Sequence, residues 1–167
     1  MKKIILLLAL LLSISFAQNG ALGFWFQGGN SGENWGLDYK HLSSSVAHNI
    51  YATIKSSGGV LSTGAYYGHY FQYNIIKADA SVGRFPLYWG PVGGFGYWGG
   101  NNVNGFALRG GVTGGISWML PSSFPMDISA ELNPVAEIHH VSWPGDSDTN
   151  LEFPRFYFRL LFHAYFF

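Results

Sequence analysis

Cysteine is absent from this 167-residue chain, which excludes disulfides, thiolate metal sites and lipid attachment through a cysteine. Charge is scarce: Lys, Arg, Asp and Glu make up 11% of the residues, under half of the roughly 25% usual for soluble proteins. Nine basic residues match nine acidic ones, so nothing favours nucleic acid as a partner. Long apolar runs are also missing. Beyond the first dozen residues, no stretch of about 20 apolar residues offers a membrane-spanning helix. What the chain has in quantity is aromatic residues, at 18%, and glycine, 23 times. That combination fits a barrel dissolved in lipid better than a water-soluble core.

The start of the chain reads as a secretory signal. Lys2 and Lys3 give a positive beginning, 4–12 an apolar stretch, and Ser15-Phe16-Ala17 a small-x-small cleavage site before Gln18. The expected organisation is therefore a signal peptide over 1–17 and one exported domain over 18–167. Losing Lys2 and Lys3 shifts the formal charge from zero to about −2.

Period-two patterning carries the fold. From Met126 to Ile138 the even positions are Met, Ile, Ala, Leu, Pro, Ala and Ile, and the odd ones are mostly polar or acidic. From Phe153 to Phe167, Phe156, Phe158, Leu160, Phe162, Ala164 and Phe166 share one face. Arg155, Tyr157, Arg159, Leu161, His163 and Tyr165 share the other. Bulky phenylalanines opposite two arginines predict an oily outside and a charged inside.

Turn residues cut the remainder into further strands, about eight in all, with no helical run between them. They fall near 20–28 (Leu22, Phe24 and Phe26 outward), 33–42, 47–55, 61–73, 84–98 and 104–120. The 61–73 segment is aromatic on both parities, so its faces stay unassigned. Pro86, Pro91 and Pro134 each remove a ladder donor and are expected at bulges or strand ends. The expected fold is all-β: an eight-stranded antiparallel up-and-down transmembrane β-barrel. Its lumen is narrow enough for side chains to fill. With both termini periplasmic, the outward loops are 29–32, 56–60, 99–103 and 139–151, and only the last is long. Trp98, Trp118, Trp143 and Tyr165 fall near segment ends, where an aromatic girdle would lie.

Three stretches resemble a known family. They are Arg84-Phe85-Pro86-Leu87-Tyr88-Trp89-Gly90, the run Phe106 to Ile116 around Leu108-Arg109-Gly110, and Pro125-Met126-Asp127-Ile128 running on to Pro134-Val135. This pattern is similar to that of the small outer-membrane β-barrels first recognised in spirochaetes. The likeness covers roughly 84–138, and its motifs are strand patterns, none of which marks a reaction centre. It implies an eight-stranded membrane barrel of undefined biochemical role. The closing Tyr165-Phe166-Phe167 resembles the aromatic end that such barrels present to their assembly machinery. One departure is that Phe166, not Phe167, shares the parity of the oily face.

Hairpin geometry converts the alternation into contacts. A turn centred near Gly145 sets Glu131 opposite Arg159 and Asp127 opposite His163, with Glu137 diagonal to Arg155. A turn near Ser122–Ser123 brings Arg109 close to Glu137. The expected lumenal charge network is Arg109, Asp127, Glu131, Glu137, Arg155, Arg159 and His163, with a structural role.

His139, His140, Ser142, Asp146 and Asp148 supply residue types found in lipid A-modifying barrels and in metal sites. They lack a defined spacing, and the reading is of a solvated turn. The sequence thus points to a monomeric, non-enzymatic protein of the bacterial outer membrane, with no cofactor. Its partners are outer-membrane lipid and the assembly machinery. A narrow pore, and a barrel binding an extracellular ligand through 139–151, are the alternatives. A soluble lipocalin-like barrel is the rival fold, and it would turn Phe156, Phe158 and Phe162 inward and leave Arg155 and Arg159 wet.

Overall fold

The computed structural model describes residues 20–29, 34–43, 46–57, 59–76, 82–121 and 125–166. The proposed signal, 1–17, and Phe167 lie outside the described residues. Eight strands follow one another in chain order: β1 (Gly20–Gly29), β2 (Asn34–Leu42), β3 (Val46–Ser57), β4 (Val60–Ile76), β5 (Phe85–Gly100), β6 (Val103–Met119), β7 (Met126–Trp143) and β8 (Asp146–Phe166). Each pairs antiparallel with its neighbours, and β8 returns to β1, so the sheet closes as an up-and-down barrel. Closure leaves each strand with one face into a narrow lumen and one face out.

The outward face is apolar. Phe24, Phe26, Trp35, Leu37, Ile54, Trp89, Phe95, Leu108, Leu132 and Phe158 are all about half exposed or more. The inward face holds buried Gln27, Asp38, Lys40, Asn49, Asp127, Glu131, Asn133, Glu137, Arg159 and His163. The lipocalin-like arrangement, with the phenylalanines inward, is therefore not adopted: Phe158 is 50% exposed and Arg159 1%. On β4 the even residues, Tyr66, Gly68 and Tyr70, turn inward, while Leu61, Tyr67 and Phe71 turn outward. Tyrosine suits both faces, which is why periodicity alone left this strand unassigned.

Inward glycines make room for inward rings. A Cβ on Gly115 would lie 2.6 Å from Tyr88 Cζ, and one on Gly94 would overlap Tyr66. The prolines mark irregularities in the ladders, as their missing donors require. The β4–β5 pairing skips the level of Pro91, running from Gly68↔Val92 to Phe71↔Trp89, and it slips beside Pro86 between Asn74 and Ile76. The β6–β7 pairing breaks at the level of Pro134, between Gly111↔Val135 and Gly114↔Leu132.

Two expectations are corrected. The stretch 139–151 is not a loop. β7 runs on to Trp143 and β8 starts at Asp146, leaving only Pro144 and Gly145 as the turn, with Gly145 at φ 90°. What hid this is a bulge: Phe153 and Pro154 together oppose Ala136, between Val135↔Arg155 and Glu137↔Glu152. The extra residue reverses parity, so Phe156 and Phe158 face out below it and Leu151 and Phe153 above it. The second correction concerns the girdle. Trp118 faces outward, but Tyr165 is buried in the lumen, and Trp98 packs against inward-facing His139 with ring centroids 6.2 Å apart. Trp143, opposite Asp146 at the hairpin tip, shares the inward parity of His139.

Candidate functional site: a layered polar lumen

The inward groups stack in three layers along the barrel. At the end holding both strand termini, the carboxylate of Asp127 is the hub. It accepts from Lys40 Nζ at 2.7 Å, from Ser129 Oγ at 3.0 Å and from the Tyr165 hydroxyl, and it meets His163 Nδ1 at 2.7 Å. The other ring nitrogen, Nε2, meets Asp38 Oδ2 at 2.5 Å. An imidazole flanked by two carboxylates donates to both only when doubly protonated. Lys40 and His163 then balance Asp38 and Asp127, which is the condition for burying such charges together.

The middle layer is centred on Glu131, which is fully buried. Its Oε2 lies 3.5 Å from Arg159 Nη1, and its Oε1 accepts from the hydroxyls of Tyr51 at 3.1 Å and Tyr88 at 3.0 Å. Arg159 Nε donates to Gln27 Oε1 at 3.0 Å. The guanidinium lies over the Tyr51 ring, 4.6 Å from its centroid, and 5.6 Å from that of Trp25. Tyr51 and Tyr70 hydroxyls, 2.5 Å apart, complete the plug.

Glu137 organises the outer layer. Arg109 Nε donates to Oε2, Arg155 Nη1 donates to Oε1 at 2.9 Å, and Tyr157 donates to Oε2 at 2.7 Å. His139 Nε2 is 2.6 Å from Oε1. Arg109 also donates to Tyr157 Oη at 3.0 Å and lies 4.2 Å over that ring. A bidentate fork serves such multiple acceptors well. Above it, a cavity of about 180 Å³ opens at the mouth, lined by Gln27, Asn34, Thr53, Ser62, Trp98 and His139 among others.

The structure therefore brings together Asp127 with His163, Glu131 with Arg159, and Arg109 and Arg155 on Glu137. The sequence places Asp38 and Lys40 in the strand expected near 33–42, at the same parity, without joining them to Asp127 and His163. Strand β2 is not a neighbour of β7 in the sheet, so a register argument between adjacent strands never pairs them. The tyrosines 51, 88 and 157 were missed as carboxylate donors. Their inward parity was the available signal. Tyr165 of the closing aromatic trio is committed to Asp127, Phe166 pairs with Gly20 through its backbone, and Phe167 is outside the described residues.

The five loop-type residues are dispersed. His139 points inward to Glu137, whereas its neighbour His140 points outward and meets Thr149 Oγ1 at 2.8 Å. Asp148 accepts from Asn150 at 2.7 Å, and Ser142 and Ser147 are register partners across the hairpin. No group of three metal-ligand side chains converges among the described residues.

No family model matches the chain, and no curated protein matches it. Among solved structures, the chain is similar to the crystal structure of Neisserial surface protein A (NspA). The identity is 12% and the TM-score 0.46, over 88% of this chain and 94% of that one.

Proposed function

We propose that this protein is an integral outer-membrane β-barrel with a side-chain-filled lumen, acting structurally or by contact at the cell surface and performing no chemistry. One observation carries the reading: the closed barrel is inverted, with phenylalanine, leucine and tryptophan outside and paired charges inside. Water as the outer solvent would favour the opposite arrangement, and hydrocarbon favours this one. β1 and β2, at 10 and 9 residues, match the roughly 9–11 residues a tilted strand needs to cross. Outer-membrane lipid is then the medium and the assembly machinery a transient partner, and the barrel is monomeric because closure leaves its membrane span without a free edge.

Fractionation tests this directly. The full chain should remain with outer membranes through a salt wash, require detergent for release, and migrate differently on a gel before and after boiling. Recovery in the soluble periplasmic fraction would sink the proposal.

A narrow pore is the second reading, favoured only by the mouth cavity. The buried layers of Arg159, Glu131, Tyr51, Tyr70 and Trp25 beneath that cavity support a closed barrel. Planar-bilayer recordings of the purified protein should show no sustained ionic current. Stable unitary steps would favour the pore instead.

A further inference from the structure

β8 is 21 residues long, about twice what a crossing strand needs. Its lower half is paired on both sides, to β7 and to β1. The β1 pairing stops at Gly29↔Tyr157, and among the described residues nothing pairs with the β1-side edge of Asp146–Phe156. β7 covers only the other edge. The hairpin therefore rises past the apolar band and presents an open strand edge to the outside, with every residue from Trp143 to Pro154 exposed.

We propose that this edge is a docking site for an extended, basic segment of another protein, which adds to β8 as a further strand. The inference rests on the outer-membrane reading and names the kind of partner its surface contact would take. Counting outward from the two-residue turn, Trp143–Asp146 is the hydrogen-bonded pair that closes the hairpin. The N–H and C=O groups of Thr149 and Leu151 and the C=O of Ser147 then point to the free side, while the Ser147 N–H already donates to Asp146 Oδ1 at 2.8 Å. An incoming strand meets the remaining donors and acceptors.

Side chains decide the partner's character. Asp146, Asp148 and Glu152 share one face of this stretch, and Leu151 and Phe153, 69% and 75% exposed, share the other. Glu152 is matched by Arg155 at 2.9 Å, while the two aspartates meet no cation among the described ion pairs. An extended segment alternating basic and apolar residues complements both faces. A second copy of this chain does not: antiparallel self-pairing about Asn150 sets Asp148 across from Glu152, and opposed like charges disfavour a sheet contact. Pro154 closes the lower end of the edge, so the added strand stays above the bilayer.

The test uses full-length protein released from membranes in a neutral detergent and shown to have heat-dependent gel mobility. A fluorescent short peptide of alternating Lys and Val is titrated by anisotropy. Saturable binding is expected, at least about tenfold weaker when the peptide is N-methylated at alternate residues, since several main-chain hydrogen bonds are lost. Thr149→Pro, which removes a backbone donor from the free edge together with the Oγ1 contact to His140, and the pair Asp146→Asn with Asp148→Asn should each weaken binding similarly. Thr149→Val, which removes that side-chain contact alone, should leave it unchanged. No binding, equal binding of the N-methylated peptide, or equal binding of an alternating Glu and Val peptide would overturn the inference. So would a dimer of the protein alone that Thr149→Pro abolishes. Each of these results leaves the heat-dependent mobility, and with it the membrane reading, standing.

Discussion

Glu131 shows how a single side chain governs the lumen. It touches Arg159, Tyr51 and Tyr88, three groups on three different strands, and water reaches none of its oxygens freely. Glu131→Ala strands the Arg159 guanidinium and should cost about 3–5 kcal/mol. Replacing both residues, Glu131→Leu with Arg159→Met, should recover much of that loss, because an apolar pair removes the desolvation problem along with the attraction. Urea unfolding in detergent, followed by tryptophan fluorescence, measures both. Equal stability of wild type and Glu131→Ala would show that the pair is not engaged. Gly115 works by having no side chain. Gly115→Ala drives a methyl into Tyr88, whose hydroxyl serves Glu131, and should cost about 1–3 kcal/mol in the same assay.

The β7–β8 hairpin is the element whose course departs most from the pattern of the sequence. Its lower part was legible, because strict alternation from Met126 to Ile138 and from Arg155 to Tyr165 fixes both the strands and the inward face. Above that the alternation fails at Phe153-Pro154, and a stretch rich in Ser, Asp, Asn and Thr reads as a loop. The bulge is the physical cause. One added residue moves Leu151 and Phe153 to the parity opposite that of Phe156 and Phe158, so no single period describes the strand. The β2 contributions to the lumen were illegible for another reason, since contacts across a barrel do not follow from neighbouring registers. The native lack of cysteine makes the hairpin's exposure easy to measure. A membrane-impermeant maleimide added to intact cells should label Leu151→Cys and spare Phe158→Cys. Labelling of both, or of neither, would contradict a hairpin standing clear of the lipid.

For the whole molecule, barrel closure and the proposed surface contact are divided along the length of β8. The lower half completes the ring against β1 and supplies Arg159, His163 and Tyr165 to the buried layers. In the upper half Arg155 still reaches Glu137, and Asp146–Pro154 above it contributes only to the hairpin. Replacing 140–149 by an Asn-Gly turn should leave a closed barrel, because such a turn joins antiparallel strands with the right twist. That variant should keep its heat-dependent gel mobility, whereas removal of 157–166 should abolish it. Loss of mobility in both would mean that the upper hairpin is needed for closure.

The uneven ends of the ladders give the molecule a front and a back. β1 is done at Gly29, and β2 meets β3 only from Leu37↔Ala52 downward, while β3 and β4 pair up to Ser57↔Val60 and β7 and β8 up to Trp143↔Asp146. Among the described residues, these ends make a step at the seam of the two terminal strands, where short β1 stands beside long β8. On one side of that seam the chain climbs on through Asp146–Phe156, past the last residue its neighbour offers, like a ladder leaning beyond its wall.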